Sequence, residues 1–162
     1  MQGGFFSYGL LSALAIALLI AAFTDLRRRQ IDNWLNAAIA LGAPVFWLAS
    51  GQSWLDISFH LAIALVMFIM LAAMFALRAM GGGDVKLLSA LALWIEPVSF
   101  LQLLIVMSLL GGALTLIVAG LHYARRSTGR IMVPYGIAIS IAGLWALATQ
   151  YLPSIYFAAR PG

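Results

Sequence analysis

Two aspartates interrupt a chain that has little else to ionise. Asp84 follows three glycines in Arg78-Ala79-Met80-Gly81-Gly82-Gly83-Asp84-Val85-Lys86, and Asp25 closes the first apolar stretch in Phe23-Thr24-Asp25-Leu26-Arg27-Arg28-Arg29. Carboxylates at the edge of an apolar segment are costly, and those that occur usually face a cavity, a partner or a substrate. Brought close, two such groups cannot both ionise cheaply. They share a proton, one acting as base on a water and the other as acid toward a carbonyl, and any pKa belongs to the pair. Two acids at comparable depth are therefore the minimum equipment for acid/base hydrolysis. The glycines are expected to give Asp84 unusual backbone freedom and to let a substrate chain approach without meeting a side chain. The plainer reading makes each acid a solvated helix flank and the glycine run a connecting loop, and the residues alone leave the two readings balanced.

The elements that must position these acids are read from composition. Of 162 residues, 64% are hydrophobic and 9% charged, against roughly 25% charged in soluble domains, and the mean hydropathy is +1.05. This is the composition of an all-α integral membrane protein, organised as a single domain over 1–162, because no polar gap is long enough to hold a second core. The net charge of +4 comes from short basic clusters beside apolar stretches, which suits anionic lipid headgroups rather than nucleic acid. The absence of cysteine excludes disulfides, thiolate nucleophiles and cysteine zinc sites. The first apolar run lacks a basic segment before it and is followed by Asp25 and arginines rather than a small-residue cleavage site, so it reads as a retained span.

Six transmembrane helices are predicted. The runs 5–23, 57–77, 98–121 and 131–152 each approach the ~20 residues that a crossing requires. Residues 34–50 form a shorter run with Pro44 inside it, which kinks a helix in a bundle rather than forbidding it. The fourth, 85–97, is too short for a full crossing and either thins the membrane or begins inside it. Arg27, Arg28, Arg29, Arg78, Lys86, Arg125, Arg126 and Arg130 then fall on one side, with Arg160 alone on the other. The positive-inside rule makes the first side cytoplasmic, with both termini external and both aspartates on the cytoplasmic face.

These residues resemble the type IV prepilin peptidases, a family of GxGD-type membrane aspartyl proteases. Gly81-Gly82-Gly83-Asp84-Val85-Lys86-Leu87-Leu88, trailed by Ala90 and Trp94, is similar to the family's GxGD-x-K-L signature. Thr24-Asp25-Leu26-Arg27-Arg28-Arg29-Gln30-Ile31 with Asn33-Trp34-Leu35 resembles its first catalytic segment, and Val133-Pro134-Tyr135-Gly136-Ile137-Ala138-Ile139 the block opening the last helix. The likeness implies that Asp25 and Asp84 are the catalytic pair. It also implies that Gly81, Gly83, Lys86, Asn33, Pro134, Tyr135 and Gly136 serve the loop or the substrate, and that no metal or organic cofactor is needed. The implied activity is removal of the leader peptide from prepilins at the cytoplasmic face of a bacterial inner membrane. The chain departs from the pattern at Asp32, where the family usually has proline, and this adds a third carboxylate that rivals Asp25. The cysteine-bearing extra domain of the long, bifunctional members is missing. The chain looks like the short form that processes Flp-type pilins of tight-adherence systems, and methyltransferase activity is not implied. Its partners would be prepilins and membrane lipids.

The remaining polar residues read more plainly. His60 and His122 lack carboxylates at ligand spacing, Met67, Met70 and Met74 read as packing, and Gly136, Ser140 and Gly143 as a small-residue stripe for close helix contact. Asp56 and Glu96 read as solvated turn residues. Lys86 either favours ionisation of Asp84 or snorkels to the headgroups. The competing functional readings are a small proton-coupled transporter or channel component, in which the acids relay protons, and a catalytically silent scaffold that tolerates loss of either acid.

Overall fold

The structure, a computed structural model, describes residues 4–124 and 133–158. These residues form α1 (Gly4–Arg28), α2 (Asn33–Ala49), α3 (Trp54–Ala76), α4 (Gly82–Leu91), α5 (Pro97–Ala124) and α6 (Tyr135–Ala158), with no strand among them. The helices start where local chemistry allows. Ser53 and Asp56 build a reciprocal capping box at the head of α3, the Asp56 N–H donating to Ser53 Oγ at 3.2 Å, so Asp56 caps a helix rather than lying in a solvated turn. Pro97 opens α5, a position where its missing N–H costs nothing.

The expectation of six transmembrane helices is met only in part. Four helices, α1, α3, α5 and α6, are long and apolar enough to cross a membrane. The 17 residues of α2 reach about 25 Å and the 10 of α4 about 15 Å, both short of a hydrocarbon core of about 30 Å. The stretch expected as the fourth span is helical only to Leu91. There the i→i+4 pattern tightens, with Leu93 N–H bonding Ala90 O and Trp94 N–H bonding Leu91 O, and Pro97 follows. The basic residues used for orientation are only partly described, since Arg125, Arg126, Arg130 and Arg160 lie outside the described residues.

A helix that stops inside an apolar bundle leaves carbonyls that must find partners. Here neighbouring side chains supply them. Trp47 Nε1 donates to Leu93 O at 3.0 Å and Tyr151 Oη to Trp94 O at 3.0 Å, while the Glu96 N–H donates to Gln150 Oε1 at 3.2 Å. Trp94 itself packs into α2. A Cβ on Gly42 would stand 2.8 Å from Trp94 Cζ2, and the indole N–H donates to Ile39 O at 2.8 Å. The helix is thereby pinned at its far end.

Successive helices reverse direction. Ser50 at the end of α2 bonds Ser7 near the start of α1, Lys86 in α4 reaches Asn33 at the start of α2, and Tyr135 at the start of α6 meets Thr115 in the second half of α5. The end of α1 and the starts of α2, α4 and α6 consequently gather at one end of the bundle. α4 packs against α2, α3 and α6, and α6 against α1 and α5, enclosing a core that includes Leu18, Leu87, Leu91, Leu103 and Ile139.

Candidate active site

A cavity of about 1510 Å³ opens at that gathered end, and both aspartates line it. Asp25 occupies the last turn of α1, where a carboxylate opposes the negative end of its own helix. The fold compensates by setting α6 against it. The N–H groups of Gly136 and Ile137, in the first turn of α6, face the Asp25 carboxylate, so the positive end of one helix offsets the negative end of another. Asp25 is 5% exposed, and its Oδ2 has no hydrogen-bonding partner among the described residues. That oxygen is closed off against Gly136, and a buried carboxylate oxygen without a partner calls for a water or a ligand to satisfy it.

Asp84 reaches the same cavity from α4. Gly81 is the N-cap of that helix with extended backbone (φ −71°, ψ 144°), and Asp84 stands three residues on, where a carboxylate folds back over the cap. The fit is close: a Cβ on Gly81 would lie 2.9 Å from Asp84 Oδ2. Burial first, and then the charge of Asp25, push the Asp84 carboxyl up to about 6, while the Gly81 N–H acts in the opposite sense. The two acids therefore interact electrostatically.

The glycine segment differs from the expected loop of unusual backbone freedom. Gly82 and Gly83 form the first turn of α4, and none of the three glycines has a left-handed backbone. Proximity constrains them to different degrees. A Cβ on Gly82 would meet Phe75 Cε2 at 3.2 Å, and one on Gly83 would meet Ile31 Cβ at 3.4 Å. The left-handed positions at the cavity are Arg29 (φ 53°) and Arg78 (φ 57°), which terminate α1 and α3. Nothing in the sequence marks them, since glycine or asparagine is the usual occupant of that conformation.

The other expected site residues fall into two groups. Lys86 is exposed and donates to Asn33 Oδ1 at 2.7 Å, so it ties α4 to α2 rather than pairing with Asp84. Asn36 Nδ2, which the sequence did not single out, lies 3.5 Å from Gly83 O beside that bond. Tyr135 and Gly136 are both at the site. The Tyr135 ring rests on α5 where a Cβ at Gly111 would be 2.7 Å from its Cε1, and its hydroxyl is 3.1 Å from Thr115 Oγ1. Pro134 immediately precedes α6 and is half-buried. Asp32 lines the cavity at the N-cap of α2, but the carboxylate that acts on Asp84 is that of Asp25.

Residues outside the site behave mostly as packing. His60 is buried and stacks on Trp47 with ring centroids 6.1 Å apart. Of the methionines read as packing, Met67 packs against the core, whereas Met70 and Met74 are exposed and Met74 lines the cavity. Gly143 admits Leu18 and Leu91 closely, as a small-residue stripe should.

With this geometry in view, residues 12–117 match the model of the type IV leader peptidase family. The chain belongs to that family. The match includes Asp25 and Asp84 and ends before the Pro134-Tyr135-Gly136 segment, which reaches the site through the fold. No curated protein and no solved structure matches the chain significantly. Family membership supports a multi-pass membrane peptidase acting on prepilin-like leaders.

Proposed function

We propose that this leader peptidase family member is an aspartyl endopeptidase that removes leaders from Flp-type prepilins, with Asp25 and Asp84 as its catalytic pair. The observation that carries the reading is the convergence of the two acids on one cavity, with the charge of Asp25 acting on Asp84. Their environments divide the work. Burial works against a charge on Asp25, while the N–H groups at the positive end of α6 favour one, and in this scheme Asp25 takes a proton from the attacking water. Asp84, raised to about 6, keeps a protonated fraction close to neutrality, and in that form it passes its proton to the scissile carbonyl oxygen. Water oxygen bonds to the carbonyl carbon, giving a neutral tetrahedral diol. Collapse then breaks the C–N bond as Asp84 takes a proton back from a diol hydroxyl and Asp25 gives its proton to the leaving amine, which restores both acids and yields a leader ending in a carboxyl group and a mature chain with a new amino terminus. The scheme calls for no metal or organic cofactor, and no methyl transfer is part of it.

The basic residues at this end, Arg27, Arg28, Arg29, Arg78 and Lys86, favour a cytoplasmic site in a bacterial inner membrane. The purified protein incubated with a Flp-type prepilin should release the leader, and Asp25→Asn and Asp84→Asn proteins should not. Cleavage by both variants would remove the proposal and return the acids to a proton-relay or structural role.

A further inference from the structure

The packing of the bundle is uneven around the cavity. α3 packs on α4, and α5 packs on α6, but no comparable packing joins α3 to α5. The cavity occupies that gap, bounded by Met74 and Phe75 on α3 and by Met107, Ser108 and Gly112 on α5, and it runs to Asp25 and Asp84. Ser108 and Gly112 are one turn apart, the spacing at which small residues let a second helix approach closely. A Cβ added at Gly112 would meet nothing within 4 Å, so this face of α5 is unfilled by the protein itself. An independent feature points to a ligand in the same cavity: Oδ2 of the buried Asp25 is without a partner there.

Resting on the peptidase reading above, we infer that the slot between α3 and α5 is the docking groove for the apolar helix of the substrate, which enters sideways and lies along Ser108 and Gly112. Several features specify a helix rather than an extended peptide or a lipid chain. The slot is flanked by two long apolar helices and has a small-residue floor on α5. Its site end is continuous with the two acids, so a helix seated there presents the chain at its own end to Asp25 and Asp84. Arg29 and Arg78, which line the cavity at its site end, mark where the polar leader would leave the groove.

A Cβ at Gly112 has open space around it, and replacing a helical glycine raises helix propensity, so Gly112→Leu should project into the slot and fold at least as well as the parent. The test uses two probes: a Flp-type prepilin with its full apolar helix, and the same prepilin truncated a few residues after the cleaved bond. Cleavage of both probes by the parent establishes the peptidase reading separately. For Gly112→Leu, the ratio of kcat/KM for the full prepilin to that for the truncated one should fall at least tenfold, chiefly through KM. Gly120→Leu, at another open position on α5 outside the cavity lining, should leave the ratio unchanged. A photo-reactive residue replacing Ser108 should cross-link to the prepilin helix, and one replacing Leu19 on the outer face of α1 should not. An unchanged ratio in Gly112→Leu means that lipid fills the slot and the substrate docks elsewhere. That result, equal loss on both probes, or the same fall in Gly120→Leu, overturns the inference.

Discussion

Asp25 sits against Gly136 so closely that a Cβ there would stand 2.8 Å from both Cγ and Oδ2 of the acid. The contact joins the end of α1 to the start of α6 and brings the N–H groups of Gly136 and Ile137 to face the carboxylate. A methyl group cannot be accommodated without displacing the acid. Gly136→Ala should therefore cut leader cleavage by at least a hundredfold. Alanine favours the helix by roughly 1 kcal/mol over glycine, which offsets part of the steric cost, so thermal unfolding in detergent should shift little. A Gly136→Ala protein with parental activity would show that Asp25 need not occupy this position.

Gly81 and Gly83, before Asp84, should respond in an order set by distance rather than by backbone conformation. Gly81→Ala places a Cβ 2.9 Å from Asp84 Oδ2 and should reduce turnover strongly. Gly83→Ala meets Ile31 only at 3.4 Å and should be mild, whereas Gly83→Val adds branching that drives into Ile31 and should be severe. Initial rates on one prepilin rank the three, and Gly83→Ala falling below Gly81→Ala would invalidate the ordering.

These contacts also show what was legible from residues alone. The two acids, their shared end and their motif were readable because rare charges in an apolar chain stand out. The last motif, around Gly136, was readable only as a likeness, since its contact with Asp25 depends on how α6 returns to α1. Six crossings exceed the four helices long enough for one: hydropathy counts apolar residues, and it could not show that the stretch 85–97 leaves the helix after Leu91 in turns whose carbonyls are taken up by Trp47 and Tyr151. Nor did Gly111, Thr115 or Gly112 carry any signal beyond small residues in an apolar helix, because their roles arise from a neighbour that is distant in sequence.

Asp84 makes both stability and activity depend on pH. Its carboxyl is raised from 3.8 to about 6 in the folded state, so folding favours its protonated form. That contribution is fully present below about pH 4 and is lost as pH rises through about 6. Thermal stability of the purified protein should decline across this window, and Asp84→Asn should flatten the decline. If Asp84 is the proton donor, kcat should also fall as pH rises through about 6. A stability curve in Asp84→Asn that keeps the parental slope would assign the effect to another group.

The far end of α4 is held by side chains, and one of them can be removed cleanly. Trp47→Phe deletes the indole N–H that bonds Leu93 O and leaves a carbonyl inside the bundle without that partner, at a cost of about 1–3 kcal/mol. Denaturation in mixed micelles should show this loss, with catalysis by the remaining folded protein close to parental. A stability unchanged by Trp47→Phe would mean that the carbonyl finds another donor.

The central claim is that Asp25 and Asp84 act as one catalytic pair, and the most direct test is single-turnover cleavage of a Flp-type prepilin by purified parent, Asp25→Asn, Asp84→Asn and Asp32→Asn proteins. The account predicts cleavage by the parent and by Asp32→Asn, with no detectable product from Asp25→Asn or Asp84→Asn even though both variants remain folded and monodisperse. An active Asp25→Asn protein beside an inactive Asp32→Asn protein would contradict the assignment of the pair.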